Sequence, residues 1–191
     1  VGFELFPETT RDASFEKYTA PSGATLFHLG TIHGRHLHEE SYGLEHLEAV
    51  IQGLQPDLLM VEVLPAELDA NNPGAGPVEM PVAALIARSE GISVAGIDWW
   101  SESWLEGQTS ENRDDKMFEE LQARMPEGGK GLVLTGYSHL LEFRSRYAAN
   151  GFTREPFSDS EKESLFERAS DSFRFPAELD ATLVRATDSF Q

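Results

Sequence analysis

The pattern Gly-x-x-His occurs twice in the chain, each time where an apolar run ends. Gly30-Thr31-Ile32-His33 follows Leu26-Phe27-His28-Leu29, and Gly136-Tyr137-Ser138-His139 follows Leu132-Val133-Leu134-Thr135. An apolar run broken by a glycine reads as a buried strand leaving its sheet. The spacing therefore predicts two imidazoles delivered to one rim of one sheet. In open α/β sheets ligands sit beyond the carboxyl ends of the strands, and two acids fall at such ends. Glu62 lies in Leu59-Met60-Val61-Glu62-Val63, and Asp98 follows Ala95-Gly96-Ile97. An unpartnered carboxylate is costly to bury in an apolar run, so Glu62 calls for a cation, a metal or a hydrogen-bonding partner.

Two imidazoles and a carboxylate form a common ligand set for a divalent metal. On that reading His33, Glu62 and His139 hold manganese, cobalt, zinc or iron, and the metal lowers the pKa of a bound water and polarises a carbonyl. The same residues could work without metal, His33 as general base and Glu62 as its orienting or proton-sharing partner. His139 opens a helix, whose positive end favours the neutral imidazole. Arg113 and Asp114 fall in the first turn of a helix, and their spacing to Met117, Phe118 and Leu121 turns both inward. Arg113 could balance Glu62 or hold an oxyanion, or the two could be a capping acid beside a structural ion pair.

Other polar residues carry less. Asp98 serves equally as a site acid or as a turn and cap residue. His36 and His38 extend the first motif, but their loop position and the acids that follow read as solvated. His28, within a strand, and His46, on a polar helix face, read as structural. Ser138 lacks the second glycine of a nucleophile elbow. Trp99, Trp100 and Trp104 read as core or partner packing, with a pocket lining as the alternative.

The elements that must position these groups alternate. Expected strands are Gly2–Phe6 at an edge, Ala24–Leu29, Leu58–Val63, Ile92–Ile97, Gly131–Thr135 and Phe152–Phe157. Between them lie a helix through Leu44, Leu47, Ile51 and Leu54, a loop at Asn71–Pro77 and a helix around Val82–Glu90. A further helix is capped by Ser110, and another runs from about His139 to Asn150. Apolar residues facing both ways in the strands imply helices on both faces. The fold class is therefore α/β, a single-domain sandwich over residues 1–191 with a central, largely parallel sheet. Residues 158–191 form a helical C-terminal extension, an acidic helix from Ser158 and another opened by Pro176.

Composition narrows the partners. A net charge of −18 on 191 residues repels phosphate backbones and anionic membranes. No apolar stretch approaches the roughly 18 residues of a membrane helix, so no membrane insertion is expected. With no cysteine, disulfides, thiolate nucleophiles and iron–sulfur clusters are excluded, and the compartment is left undecided. The first residue is Val1 rather than methionine, which is compatible with a removed leader.

Four motifs, in order, carry a resemblance. Leu29-Gly30-Thr31-Ile32-His33, Pro56-Asp57-Leu58-Leu59-Met60-Val61-Glu62, Asn112-Arg113-Asp114 and Thr135-Gly136-Tyr137-Ser138-His139 resemble those of the erythromycin esterase/ChaN-like superfamily. That superfamily also contains the TraB, pheromone-shutdown and Tiki proteins. The resemblance spans roughly residues 24–157. It implies an α/β core with the site at one end of the sheet, the two histidines and the glutamate at His33, His139 and Glu62, and the Arg-Asx pair at Arg113 and Asp114. It implies one of several activities: metal-dependent peptide cleavage, ester hydrolysis or haem binding. The expected function is metal-assisted hydrolysis of an amide or ester bond in a small-molecule or peptide substrate. Its rivals are a metal-free hydrolase, a haem- or small-ligand-binding protein, and a scaffold that recruits a partner; a homodimer stays open.

Overall fold

The computed structural model describes residues 14–69, 76–99 and 109–167. Four apolar runs form parallel neighbours in its sheet: β2 (Thr25–Thr31), β3 (Leu58–Val61), β4 (Ser93–Gly96) and β5 (Lys130–Gly136). With β1 (Phe15–Thr19) and β6 (Thr153–Arg154) they make a six-stranded sheet of order β4-β3-β5-β2-β1-β6. Among the described strands only β1 runs against the rest, antiparallel to both β2 and β6. The largely parallel α/β architecture expected from the sequence is thus present.

Alternate residues of each strand feed two apolar layers, as pleating requires. Phe27, Leu29, Leu59, Val61, Leu132 and Leu134 face α1 (Leu44–Leu54) and α3 (Glu79–Ser89). A short helix, α2 (Pro65–Asp69), follows β3 and leads toward that layer. Leu26, Met60 and Val133 face α4 (Ser110–Arg124) and α5 (Tyr137–Ala149), against Phe118, Phe143 and Tyr147. Each such side chain, fully buried, stabilises the fold by about 1.5–3 kcal/mol relative to exposure. The last described helix, α6 (Asp159–Phe166), is closed by a capping box between Ser158 and Glu161 and buries Phe166 on the first layer.

Several expectations shift. The strand β1 is hidden in what reads as a mixed lead-in, because its second residue, Glu16, is buried. Its carboxylate accepts from the nearby Tyr18 hydroxyl and from Arg144 and Arg154, remote in sequence, and a buried charge of this kind masks the alternation a strand would show. The α4 helix is capped by Thr109, whose hydroxyl accepts from Asn112 N at 3.2 Å, rather than by Ser110. The α3 helix begins at Glu79, three residues before its first expected apolar position at Val82. The strand at Gly2–Phe6, most of the Asn71–Pro77 loop and the Pro176 helix lie outside the described residues.

Candidate active site

The sheet's register brings the two motifs side by side. In the parallel pairing of β2 with β5, Gly30 stands opposite Thr135 and Thr31 opposite Gly136. Val61 is paired with Leu134, so Glu62 emerges from β3 next to the start of the second motif. The strand β5 ends at Gly136, which caps α5 and places His139 in that helix's first turn. The strand β2 ends at Thr31, and a 3-10 helix, His33–Leu37, follows. His33 has φ 54°, the left-handed region that non-glycine residues occupy rarely and at a cost of about 1–3 kcal/mol.

Glu62 is the hub of the described cluster and is 4% exposed. Its Oε1 accepts from Arg113 Nη2 at 2.7 Å and lies 3.3 Å from His139 Nε2, while its Oε2 accepts from the backbone N–H of Gly136 at 2.7 Å. The Arg113 guanidinium also donates from Nε to Asp98 Oδ1 at 2.9 Å, and its Nη1 stands 3.1 Å from His139 Nε2. Asp114, beside it on α4, holds His139 Nδ1 at 2.5 Å. Asp98, which the sequence left open, therefore belongs to this cluster.

His33 reaches the cluster from the other motif. Its ring rests on Gly136, and its Nδ1 lies 2.8 Å from Oε1 of Glu79, a residue that is 0% exposed. Thr31 donates to the same Glu79 oxygen at 2.6 Å. The His33 side chain remains 47% exposed, and its Nε2 makes no hydrogen bond among the described residues. Both motif histidines are thus backed at Nδ1 by a buried carboxylate, but only in His33 is the other nitrogen without a hydrogen bond among the described residues.

Electrostatics separate the roles. For His139, burial disfavours the charged ring, yet the hydrogen bonds and charges of Asp114 and Glu62 outweigh it and raise its pKa to about 9. The neutral imidazole expected from the helix terminus is overturned, because two carboxylates in contact outweigh a partial dipole charge. For Glu62, burial opposes ionisation, but His139, the Gly136 N–H and Arg113 hold its pKa down at about 2. A carboxylate so committed is an organiser of charge, not a base. The His33 pKa is raised, first by its hydrogen bond to Glu79, against a smaller lowering by burial.

Two of the three residues expected to hold a metal, Glu62 and His139, lie against the Arg113 guanidinium, and the third, His33, pairs with Glu79. Among the described residues no group of three His, Asp or Glu side chains stands ready to hold a metal ion. His36, expected to be solvated, is 3% exposed: its Nε2 accepts from Ile32 N at 3.0 Å and its Nδ1 donates to the Tyr42 carbonyl at 2.6 Å. It shapes the first motif's turn and is not free to ligate. His38 is exposed, and His28 and His46 are hydrogen-bonded within the fold, His46 being buried rather than on the polar helix face where the sequence put it. Trp99 is partly exposed next to Asp98, whereas Trp100 and Trp104 lie outside the described residues.

A cavity of about 710 Å³ opens between α4 and α5, walled by Asp114, Ser138, His139, Glu142, Arg146 and Asn150 among others. It touches the cluster along its Asp114–His139 flank, and His33 is not among its walls. The chain matches no family model, no curated protein and no solved structure. The residue that sequence reasoning missed is Glu79. Its signal was present, an acid set between Val78 and Met80 and followed by Pro81-Val82. This is the same apolar embedding that singled out Glu62.

Proposed function

We propose that the chain is a hydrolase of amide or ester bonds in which His33 is the general base. The observation that carries this reading is the asymmetry of the two histidines. Each is backed by a carboxylate, but only the half-exposed His33 has an Nε2 without a hydrogen-bond partner among the described residues, whereas His139 Nε2 faces Glu62. A base with a raised pKa and an unshared lone pair is suited to proton abstraction.

In the step proposed, His33 Nε2 takes a proton from water as the water oxygen bonds to the substrate carbonyl carbon. The carbonyl π pair moves to oxygen, and Arg113 with protonated His139 stabilises that developing charge. Collapse of the tetrahedral species breaks the bond to the leaving alcohol or amine, which receives the proton from His33. Glu62, Asp98 and Asp114 hold the two cations in place. The resemblance of the four motifs to the erythromycin esterase/ChaN-like superfamily supports the same reaction class.

A second reading keeps the metal, and one observation favours it. Metal-ligating histidines commonly donate their other N–H to a carboxylate, as both motif histidines do here. His33, His139 and Glu62 would then hold the ion once Arg113 had withdrawn, and the ion would supply Lewis acidity and a more acidic water.

The test is turnover of a panel of chromogenic esters and peptide amides by wild type, His33→Ala and Glu62→Gln, with circular dichroism as folding control and elemental analysis of each sample. Loss of turnover in both folded variants without bound metal is expected. Full activity in both variants overturns the site. Stoichiometric metal that disappears in His33→Ala moves the assignment to the second reading.

A further inference from the structure

Glu79 is buried at the first residue of α3, and its two oxygens are used unequally. Oε1 accepts from the Thr31 hydroxyl at 2.6 Å and faces His33 Nδ1 at 2.8 Å, whereas Oε2 is buried with no hydrogen-bond partner among the described residues. Burying a carboxyl group with half of its acceptor capacity unserved is costly. His33 adds a second cost in its left-handed backbone. Both costs serve one geometry, a ring held between Glu79 and the bare α-carbon of Gly136.

We infer that Glu79 is the positioning residue of His33, fixing the imidazole proton on Nδ1 and so leaving the lone pair on Nε2. The chemistry of the contact requires this arrangement. An oxygen that already accepts from Thr31 is an acceptor toward Nδ1 as well, so Nδ1 carries the proton, and a neutral imidazole has only one. Thr31 pins the carboxylate so that the ring cannot rotate away with it. When Nε2 accepts a proton from water, Glu79 faces the resulting imidazolium and stabilises it, as the orienting acid of a hydrolytic triad does. Asp114 grips His139 in the same way, but there Nε2 faces the Glu62 carboxylate as well, so two acids together build a fixed cation. The two histidines therefore share the Nδ1 carboxylate and differ at Nε2, which faces Glu62 in His139 and has no hydrogen-bond partner among the described residues in His33. The role in catalysis rests on the hydrolase reading; the tautomer does not.

The experiment is a two-bond ¹H–¹⁵N correlation spectrum of EDTA-treated, ¹⁵N-labelled protein at a pH where His33 is neutral, its signals identified by their loss in His33→Gln. Wild type is expected to show a pyridine-type Nε2 and a pyrrole-type Nδ1. In Glu79→Met the Nε2 resonance is expected to move to the pyrrole-type range, and in Thr31→Val the wild-type pattern is expected to persist. A pyrrole-type Nε2 in wild type, or an unchanged pattern in a folded Glu79→Met, overturns the inference. Should Glu79→Met fail to fold, the wild-type tautomer alone decides. None of these spectra needs a substrate, so a failed hydrolase reading leaves the tautomer result standing. With a turned-over ester in hand, Glu79→Gln is expected to lower kcat by about 10²–10⁴-fold with little change in KM.

Discussion

The Nε2 atom of His33 lies against Gly136: a Cβ at that position would stand 2.6 Å from it. The relationship is reciprocal, because a Cβ at Gly30 would stand 3.1 Å from the Cα and ring of Tyr137. Each motif's glycine makes room for a residue of the other. Gly136 has φ −53° and ψ 145°, a conformation open to any residue, so contact alone excludes a side chain there. Gly136→Ala is expected to displace the His33 ring, to cost about 1–3 kcal/mol in urea unfolding and to abolish the proposed turnover. Unchanged stability together with unchanged His33 resonances would show that the ring has other seats.

Removing the central cation should be severe. Arg113 satisfies Glu62 and Asp98 at once, so Arg113→Met is expected to destabilise the protein by about 3–5 kcal/mol. Arg113→Lys should recover only part of this, because an ammonium cannot span both carboxylates with the fork of a guanidinium. Chemical denaturation of the three proteins side by side measures both effects.

Stability should fall on both sides of a maximum near pH 6.5. The His139 pKa is raised to about 9, so its contribution is complete below about 6.5 and is lost as pH rises through 9. The His28 pKa is lowered to about 3, mainly by burial, so the fold resists its protonation and loses stability as pH falls from about 6.5 toward 3. Glu62, held at about 2, adds a loss as pH falls from about 4.5 through 2. Each group contributes at most about 1.4 kcal/mol per pH unit within its window. Urea titrations across pH should show Asp114→Asn flattening the alkaline limb and His28→Gln the acid limb.

The histidines of the first turn should behave oppositely. His36 is buried with both nitrogens engaged, so His36→Ala is expected to cost about 1–3 kcal/mol. His38 is exposed, and His38→Ala should change stability by less than about 0.5 kcal/mol. Thermal melts of the two variants decide whether the turn is held as described.

Much of this site was legible because its polar residues interrupt apolar runs. His33, Glu62, Asp98 and His139 could be picked out as strand-end residues, and Arg113 with Asp114 by helical spacing toward Met117 and Leu121. What was not legible depends on partners remote in sequence. Glu79 falls before the helix expected around Val82–Glu90, and although its neighbours are apolar, its role shows only once Thr31 and His33 are seen to converge on it. The charge of His139 could not be foreseen from its helix alone, since Asp114 and Glu62 reach it from two other elements. His36 reads as solvated because nothing local shows that the Ile32 amide and the Tyr42 carbonyl enclose it.

Beneath the cluster runs a directional chain of donors: Tyr147 to His28 at 2.9 Å, His28 to Thr135 at 2.8 Å, and Thr135 to the Gly136 carbonyl at 3.2 Å. His28 and Thr135 are 107 residues apart in sequence. The interlocked motifs rest on this long-range closure, since the seat of the first histidine is made by a glycine that the ribosome adds more than a hundred residues later. During synthesis His33 must therefore emerge without its final neighbour, and any reactivity that depends on that seat must wait until β5 has docked. The chemistry of the site is in this way tied to completion of the sheet, so that a half-made or truncated chain would carry the first motif as an idle histidine.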